Sequence, residues 1–256
     1  MNLNTEYLQK KFGKNIIFKE NLSKYSWFNL GGPADIFFRP ANLNQLKEFL
    51  NETNKHNSNI NILGAGSNTL IRDSGVKGIV IKLSSNFSNI KVIEKNIIEV
   101  GAATLDRKVS DFAKNNNITE MEFLACIPGS IGGAIIMNSG CYGSDISKIL
   151  TSIKVLDNSG HEKEIMNEEI KFFYRGSHLP KNLIILSAKL ASICSPVRNV
   201  TVLFFTYLLS PPLSVCEKLH KLFSYCFPCK MSFICGLYVN DNLAVLHLSP
   251  WLYIVS

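Results

Sequence analysis

The chain has 256 residues and a mass of 28.6 kDa, 46% of it hydrophobic, enough for one large domain or two small ones with a real core. That size excludes a peptide hormone or a disulfide knot. The formal charge of +7 permits an anionic partner, but Lys and Arg are scattered rather than gathered into a stripe, so no nucleic acid partner is expected.

Met1 to Asn21 is polar and mixed in charge, without the apolar run of a secretory signal, which points to the reducing cytoplasm and free thiols. Asn4 to Phe12 predicts a short capped helix, and Ala34 to Phe38 a strand closed by Pro40. Leu43, Leu46, Phe49 and Leu50 recur at helical spacing behind Asn42, a candidate cap. Asn59 to Leu63 and Ile79 to Leu83 read as buried strands, and Lys91 to Ile93 with Ile97 to Val100 as a hairpin around Glu94-Lys95-Asn96. Thr104, Val109, Phe112 and Ala113 suggest another helix. Ser152 to Leu156 and Glu162 to Met166 flank the turn Asp157-Asn158-Ser159-Gly160, and Leu183 to Leu186 is the last strand. Strands alternate irregularly with helices, which favours an α+β fold over a regular parallel sheet.

Composition changes near residues 189–191. From 190 to 256 there are one Gly, six charged residues and five of the seven Cys, and several prolines break the pattern, so no fold is assigned to this tail. Its longest apolar run, Val200 to Leu209, is about half of the roughly 20 residues that span a bilayer, so stable membrane insertion is not expected. Cys226, Cys229, Cys235 and His220 fit no standard zinc spacing, and no metal site is expected. A shifted reading frame would explain the change of composition.

Two segments carry candidate chemistry. In Gly64-Ala65-Gly66-Ser67-Asn68, directly after a predicted strand, the glycines let backbone N–H groups approach an anion such as a pyrophosphate; an ordinary turn would also explain them. In Ile127-Pro128-Gly129-Ser130-Ile131-Gly132-Gly133, Pro128 stiffens the approach and the glycines clear a surface for a flat ring or phosphate; tight packing of a helix on a sheet would serve equally.

Together with Trp27 to Asp35, the block from Phe123 to Ile146 and Tyr174-Arg175-Gly176-Ser177, these segments resemble the UDP-N-acetylenolpyruvoylglucosamine reductases, flavoenzymes of peptidoglycan precursor synthesis. The resemblance covers about residues 20–189, with Cys126 and Cys141 standing where that family usually has Gly and Ala. It implies an FAD-binding fold of the vanillyl-alcohol-oxidase (PCMH) type, made of two α+β subdomains. The implied layout is an N-terminal helical segment (1–22), the FAD-binding domain (23–189) and an unassigned tail (190–256). Gly64, Ala65, Gly66, Ser67 and Asn68 would hold the FAD pyrophosphate, while Pro128, Gly129, Ser130, Gly132 and Gly133 would line the flavin. NADPH would be the hydride donor and a UDP-sugar the substrate. Arg175 is the implied catalytic residue, and Tyr142 and Tyr174 are candidates for the substrate side. His161 and His178 match no motif. The family's later Gly-Ser-x-Phe-x-Asn-Pro segment does not occur in residues 190–256, and Glu217, the only Glu there, is not matched to the family's late Glu, so no catalytic role is carried into the tail, and the implied activity is expected to be impaired.

Overall fold

A computed structural model describes residues 4–54, 59–180, 182–192 and 253–255. The tail cysteines and Val200 to Leu209 lie outside these described residues.

The first half builds one sheet. Helix α1 (Thr5–Phe12) starts at Asn4, whose Oδ1 accepts from Tyr7 N at 3.0 Å, and it buries Leu8 and Phe12. Strands β1 (Ile16–Asn21) and β2 (Pro33–Phe38) pair antiparallel. Thus the expected helical segment 1–22 is a helix followed by a strand, because Ile16 to Asn21 finds a partner edge on Pro33 to Phe38. Helix α2 (Leu43–Asn54) is capped by Asn42, which accepts from Gln45 N at 2.9 Å. Strands β3 (Ile60–Ile62), β4 (Thr69–Ile71) and β5 (Val76–Ile81) follow, and the sheet order is β1-β2-β5-β3, with β5 parallel to both its neighbours.

Side chains alternate across this sheet, and both faces are covered. Phe38 stacks on Phe49 at 3.8 Å and meets Phe12 edge-on at 5.4 Å on one face, while Phe37 stacks on Tyr25 at 4.5 Å on the other. The strand around Asn59 to Leu63 is at the edge, so Ile62 stays 42% exposed where a fully buried strand was expected.

The second half is an antiparallel sheet with helices on one face. The hairpin of β6 (Ile90–Glu94) and β7 (Ile97–Gly101) turns through Asn96 at φ +66°. Helix α3 (Asp106–Asn115), helix α4 (Ile131–Ile136), the small hairpin β8 (Gly140–Cys141) and β9 (Ser144–Asp145), and α5 (Ile146–Ile149) come next. Strands β10 (Leu150–Leu156) and β11 (Glu162–Met166), the hairpin β12 (Phe172–Phe173) and β13 (Gly176–Ser177), and β14 (Ile184–Ala191) complete this half. Its order is β11-β10-β14-β7-β6. Thr104 lies just ahead of α3, whose cap residue is Leu105: the Thr104 hydroxyl is buried, and the Thr104 carbonyl accepts from Ile131 N at 2.9 Å.

Core residues Val109, Ala113, Ile131 and Ile135 pack with Ile98, Val100, Ile153 and Val155. Leu156, Ile184 and Leu186 join the core around Phe38 and Phe49, so the two sheets share buried contacts. Strand β14 runs through the composition change at 189–191, and Ser192 still bonds Thr119 through their hydroxyls at 3.0 Å. A strand β15 (Tyr253–Val255) pairs in parallel with β4.

Candidate active site

The loop Gly64 to Asn68 joins β3 to β4. Gly66 has φ +75°, and a Cβ there would stand 1.9 Å from the Tyr25 carbonyl oxygen, so only glycine fits. Its own carbonyl accepts from Trp27 N at 3.0 Å, tying the loop to the Trp27 segment. A Cβ on Gly64 would lie 2.9 Å from Ser130 Oγ. The two predicted glycine segments therefore meet at Gly64 and Ser130.

Behind this contact stands a residue that motif reading missed. Lys82 Nζ donates to the Gly64 carbonyl, and burial, with Arg39 adding repulsion, pushes its pKa down to about 8. The signal was available: Lys82 lies within the predicted buried strand Ile79 to Leu83, a place where a lysine must find an acceptor.

The second segment is zipped onto the stretch Ala102 to Asp106. Asp106 N donates to Gly129 O at 3.2 Å, Ile131 N to Thr104 O at 2.9 Å and Gly132 N to Ala102 O at 2.9 Å. A Cβ on Gly129 would fall 2.5 Å from Asp106 Oδ2, and one on Gly132 would lie 3.2 Å from Ala102 Cβ. Gly133 differs: a Cβ there would meet only Ser130 Oγ, at 3.8 Å. Packing within the chain accounts for Gly129 and Gly132, and Gly133 is the position that faces open space.

Asp106 is fully buried, and neither of its carboxyl oxygens has a hydrogen-bond partner. Burial raises its pKa to about 8. It shares the buried face of α3 with Val109 and Ala113, a helical spacing that would have exposed it as an acid on an apolar stripe.

Arg175 occupies the two-residue tip, Tyr174-Arg175, of the β12–β13 hairpin, with φ +60°. Its Cζ lies 5.5 Å from the Tyr174 ring centroid, and Tyr174 is 81% exposed. Two bonds dock this hairpin on the C-terminal end of α4. Ser177 Oγ donates to Ile136 O at 2.9 Å, and Asn138 Nδ2 donates to Phe173 O at 3.2 Å. Asn138 Oδ1 accepts in turn from Ser147 N at 3.0 Å. The hairpin tip is thereby held to the helix that carries Gly132 and Gly133.

Tyr142 sits elsewhere, at the tip of the β8–β9 hairpin with φ +53°. It lines a cavity of about 430 Å³ with Glu122, Phe123 and Lys148, where burial raises the Glu122 pKa. A larger hollow of about 910 Å³, lined by Thr5, Phe18, Asp35 and Ile36 among others, includes none of the predicted site residues. His161 Nδ1 is 3.6 Å from Asp157 Oδ2 at the surface, and the His178 ring lies 4.9 Å from that of Phe173. Among the described residues no group of three or more His, Cys, Asp or Glu could hold a metal ion.

The arrangement fits FAD on its own terms. A loop with glycines at 64 and 66 and a lysine behind it suits a diphosphate, and the open side of Gly133 admits a flat ring.

Comparison with known proteins agrees. Residues 34–165 match the model of the FAD binding domain family. The UDP-N-acetylenolpyruvoylglucosamine reductase of Pelagibacter ubique (strain HTCC1062) is 46% identical over 183 residues, covering 70% of this chain and 60% of that protein. The protein of the same name from Rickettsia massiliae (strain Mtu5) is 48% identical over 168 residues, or 66% and 56%. This chain thus spans less than two thirds of the length of these curated relatives. The crystal structure of UDP-N-acetylenolpyruvylglucosamine reductase from Thermus caldophilus superimposes with a TM-score of 0.63 at 25% identity, covering 82% of this chain and 68% of that one. The p-cresol methylhydroxylase structure, at 14% identity and a TM-score of 0.53 over 75% and 43% of the two chains, shares the fold alone. The expected PCMH-type fold is borne out, and with more than half of its length matched, the chain belongs to the FAD binding domain family.

Proposed function

We propose that the chain is a flavin-dependent reductase that converts UDP-N-acetylenolpyruvoylglucosamine to UDP-N-acetylmuramate with NADPH, in the cytoplasm, on the route to peptidoglycan. Residues 23–189 serve as the FAD-binding unit, and 190–256 stand where the relatives' substrate-binding part would follow. When bound, FAD supplies a hydride relay between NADPH and the enolpyruvyl double bond.

The rest falls to this chain's residues. Backbone N–H groups of Gly64 to Asn68 meet the diphosphate, and the Lys82 ammonium adds positive charge behind Gly64. Pro128 to Gly133 hold the flavin side, with Gly133 leaving the approach clear. Arg175 forks its guanidinium onto the enolpyruvyl carboxylate and stabilises the charge that builds as hydride arrives. Tyr174 shares the tip with Arg175, and Tyr142 borders the cavity beside Lys148; both are assigned to the substrate side.

The observation that carries this reading is the docking of the Arg175 hairpin onto α4 through Ser177 and Asn138, which holds a guanidinium to the helix that bears Gly133. Purified protein tests it. The expected outcome is a yellow protein with an oxidised-flavin spectrum that oxidises NADPH only when the enolpyruvyl substrate is present. A folded, colourless protein that refuses added FAD overturns it.

A second reading, flavin binding without turnover, is favoured by one specific observation: the Gly-Ser-x-Phe-x-Asn-Pro segment, whose Ser the resemblance implies as proton donor, does not occur in residues 190–256, and Glu217, the one Glu there, is not matched to the family's late Glu. Loss of a positioned proton donor costs about 10²–10⁴-fold in rate. Flavin that NADPH reduces but substrate does not reoxidise identifies this second reading.

A further inference from the structure

Two cysteines border the second glycine segment and take no part in the chemistry above. Cys126 is the last residue of a short 3-10 helix, Glu122–Cys126, immediately before Ile127 and Pro128. Cys141 lies on β8, beyond α4. The chain folds back so that the Cys141 thiol sits 3.2 Å from the carbonyl oxygen of Phe123, on that same short helix. Strand β8 packs against this helix, which makes Cys141 and Cys126 neighbouring side chains. Neither is in a disulfide; Cys126 is exposed and Cys141 half-buried.

The surroundings divide the two roles. The neighbouring Cys141 thiol and Tyr142 hydroxyl, with the Arg107 guanidinium adding positive field, pull the Cys126 pKa down to about 6 against the opposing effect of burial. A thiol of that acidity is largely thiolate at neutral pH and is the nucleophile of the pair. Cys141, less exposed and directed at the Phe123 carbonyl, is placed to resolve the product.

We propose that Cys126 and Cys141 form a redox-active dithiol, which hydroperoxides oxidise to an intramolecular disulfide linking the approach to the glycine helix with the Gly140–Asp145 hairpin. The Cys126 thiolate attacks one peroxide oxygen; an S–O bond forms, the O–O bond breaks, and the hydroxide released takes up a proton to leave as water. The Cys141 sulfur then attacks the sulfenic sulfur of Cys126. The S–S bond forms, the S–O bond breaks, and the second hydroxide leaves as water with the Cys141 proton. Two thiols have given up two electrons, and one hydrogen peroxide has become two waters. The proposal does not depend on flavin being bound.

The full chain, reduced and freed of reductant, is exposed to equimolar hydrogen peroxide, alkylated and digested with trypsin. Both cysteines fall in the single tryptic peptide Asn115 to Lys148, well separated from the five tail cysteines. That peptide is expected to lose two hydrogens and to take up no alkylating agent. In Cys141→Ser, Cys126 is expected to be trapped as a dimedone adduct of its sulfenic acid. In Cys126→Ser, oxidation within this peptide is expected to slow by about tenfold or more. The proposal is overturned if peroxide leaves both thiols open to alkylation, if Cys126 pairs instead with a tail cysteine, or if Cys126→Ser oxidises as fast as the parent.

Discussion

Replacing Asp106 by asparagine should stabilise the fold, and by more as the pH rises. The carboxyl is fully buried at the first residue of α3, both oxygens lack partners, and its pKa stands near 8 against an ordinary 3.8. Its place in the first helical turn favours the anion by about 0.3–1 kcal/mol, which is small beside the desolvation that opposes it. The folded chain therefore binds this proton more tightly than the unfolded chain. Below pH 3.8 both states hold it, and stability is greatest. Between 3.8 and about 8 only the folded state holds it, and stability falls by up to about 1.4 kcal/mol per pH unit. Above about 8 the loss is complete.

Asparagine keeps the shape and cannot ionise. Its unpaired amide costs about as much as the unpaired acid, on the order of 1–3 kcal/mol, so this contribution largely cancels in the comparison. The advantage of Asp106→Asn should grow by about 3–4 kcal/mol between pH 5 and pH 8. Urea unfolding of the flavin-free parent and variant at constant ionic strength, at four pH values across that range, reads it directly. A difference that stays flat with pH would refute the reasoning, because it would mean that the carboxylate is ionised and solvated in the folded chain.

Four further outcomes follow from the site. Gly66→Ala should destabilise by about 3 kcal/mol or more, since it adds a Cβ at φ +75° against the Tyr25 carbonyl; Gly133→Ala should leave the melting temperature unchanged or higher while weakening FAD binding about tenfold, checked by thermal melts and flavin titration. Arg175→Ala should retain flavin yet lose about 10²–10³-fold in kcat/KM with the enolpyruvyl substrate, and turnover within a few-fold of the parent would refute its role. Lys82→Met should weaken FAD binding but stabilise the fold at pH 7 by up to about 3 kcal/mol; because the Lys82 pKa is depressed to about 8, the parent should recover that difference as pH rises from 8 to 10.5, measured by denaturant unfolding.

Local chemistry made much of the fold legible. Asn4 and Asn42 announce their helices because a cap needs only a side-chain oxygen one step ahead of an apolar face, and the 94–96 turn is written in Asn96, which tolerates φ +66°. What depended on neighbours was not legible. Asn59 to Leu63 carries a buried strand's composition, yet β3 lies at a sheet edge, and no residue within it states which strands flank it. Thr104 has a cap's chemistry, but its hydroxyl is buried and its carbonyl accepts from Ile131 N, a contact made across some 25 residues of chain. The docking of Arg175 through Ser177 and Asn138 is hidden for the same reason: both bonds run to backbone carbonyls, which every sequence possesses.

The glycine segments show why either explanation for them taken alone falls short. Close packing and ligand approach are rival accounts only until each position is tested for what a methyl group would strike. At Gly66 it would strike the Tyr25 carbonyl, at Gly129 the Asp106 carboxyl, and at Gly132 it would press on Ala102, so packing within the chain favours glycine at all three, catalytic or not. At Gly64 it would strike Ser130, the residue that joins the two segments into one surface. Gly133 alone among the five opens outward, on the helix whose far end holds the Arg175 hairpin. A substitution at Gly66 or Gly129 therefore reports on folding, whereas one at Gly133 reports on what the fold holds. Loss of flavin in the first two with retention in Gly133→Ala would place the isoalloxazine away from α4, and the role assigned to Arg175 would have to move with it.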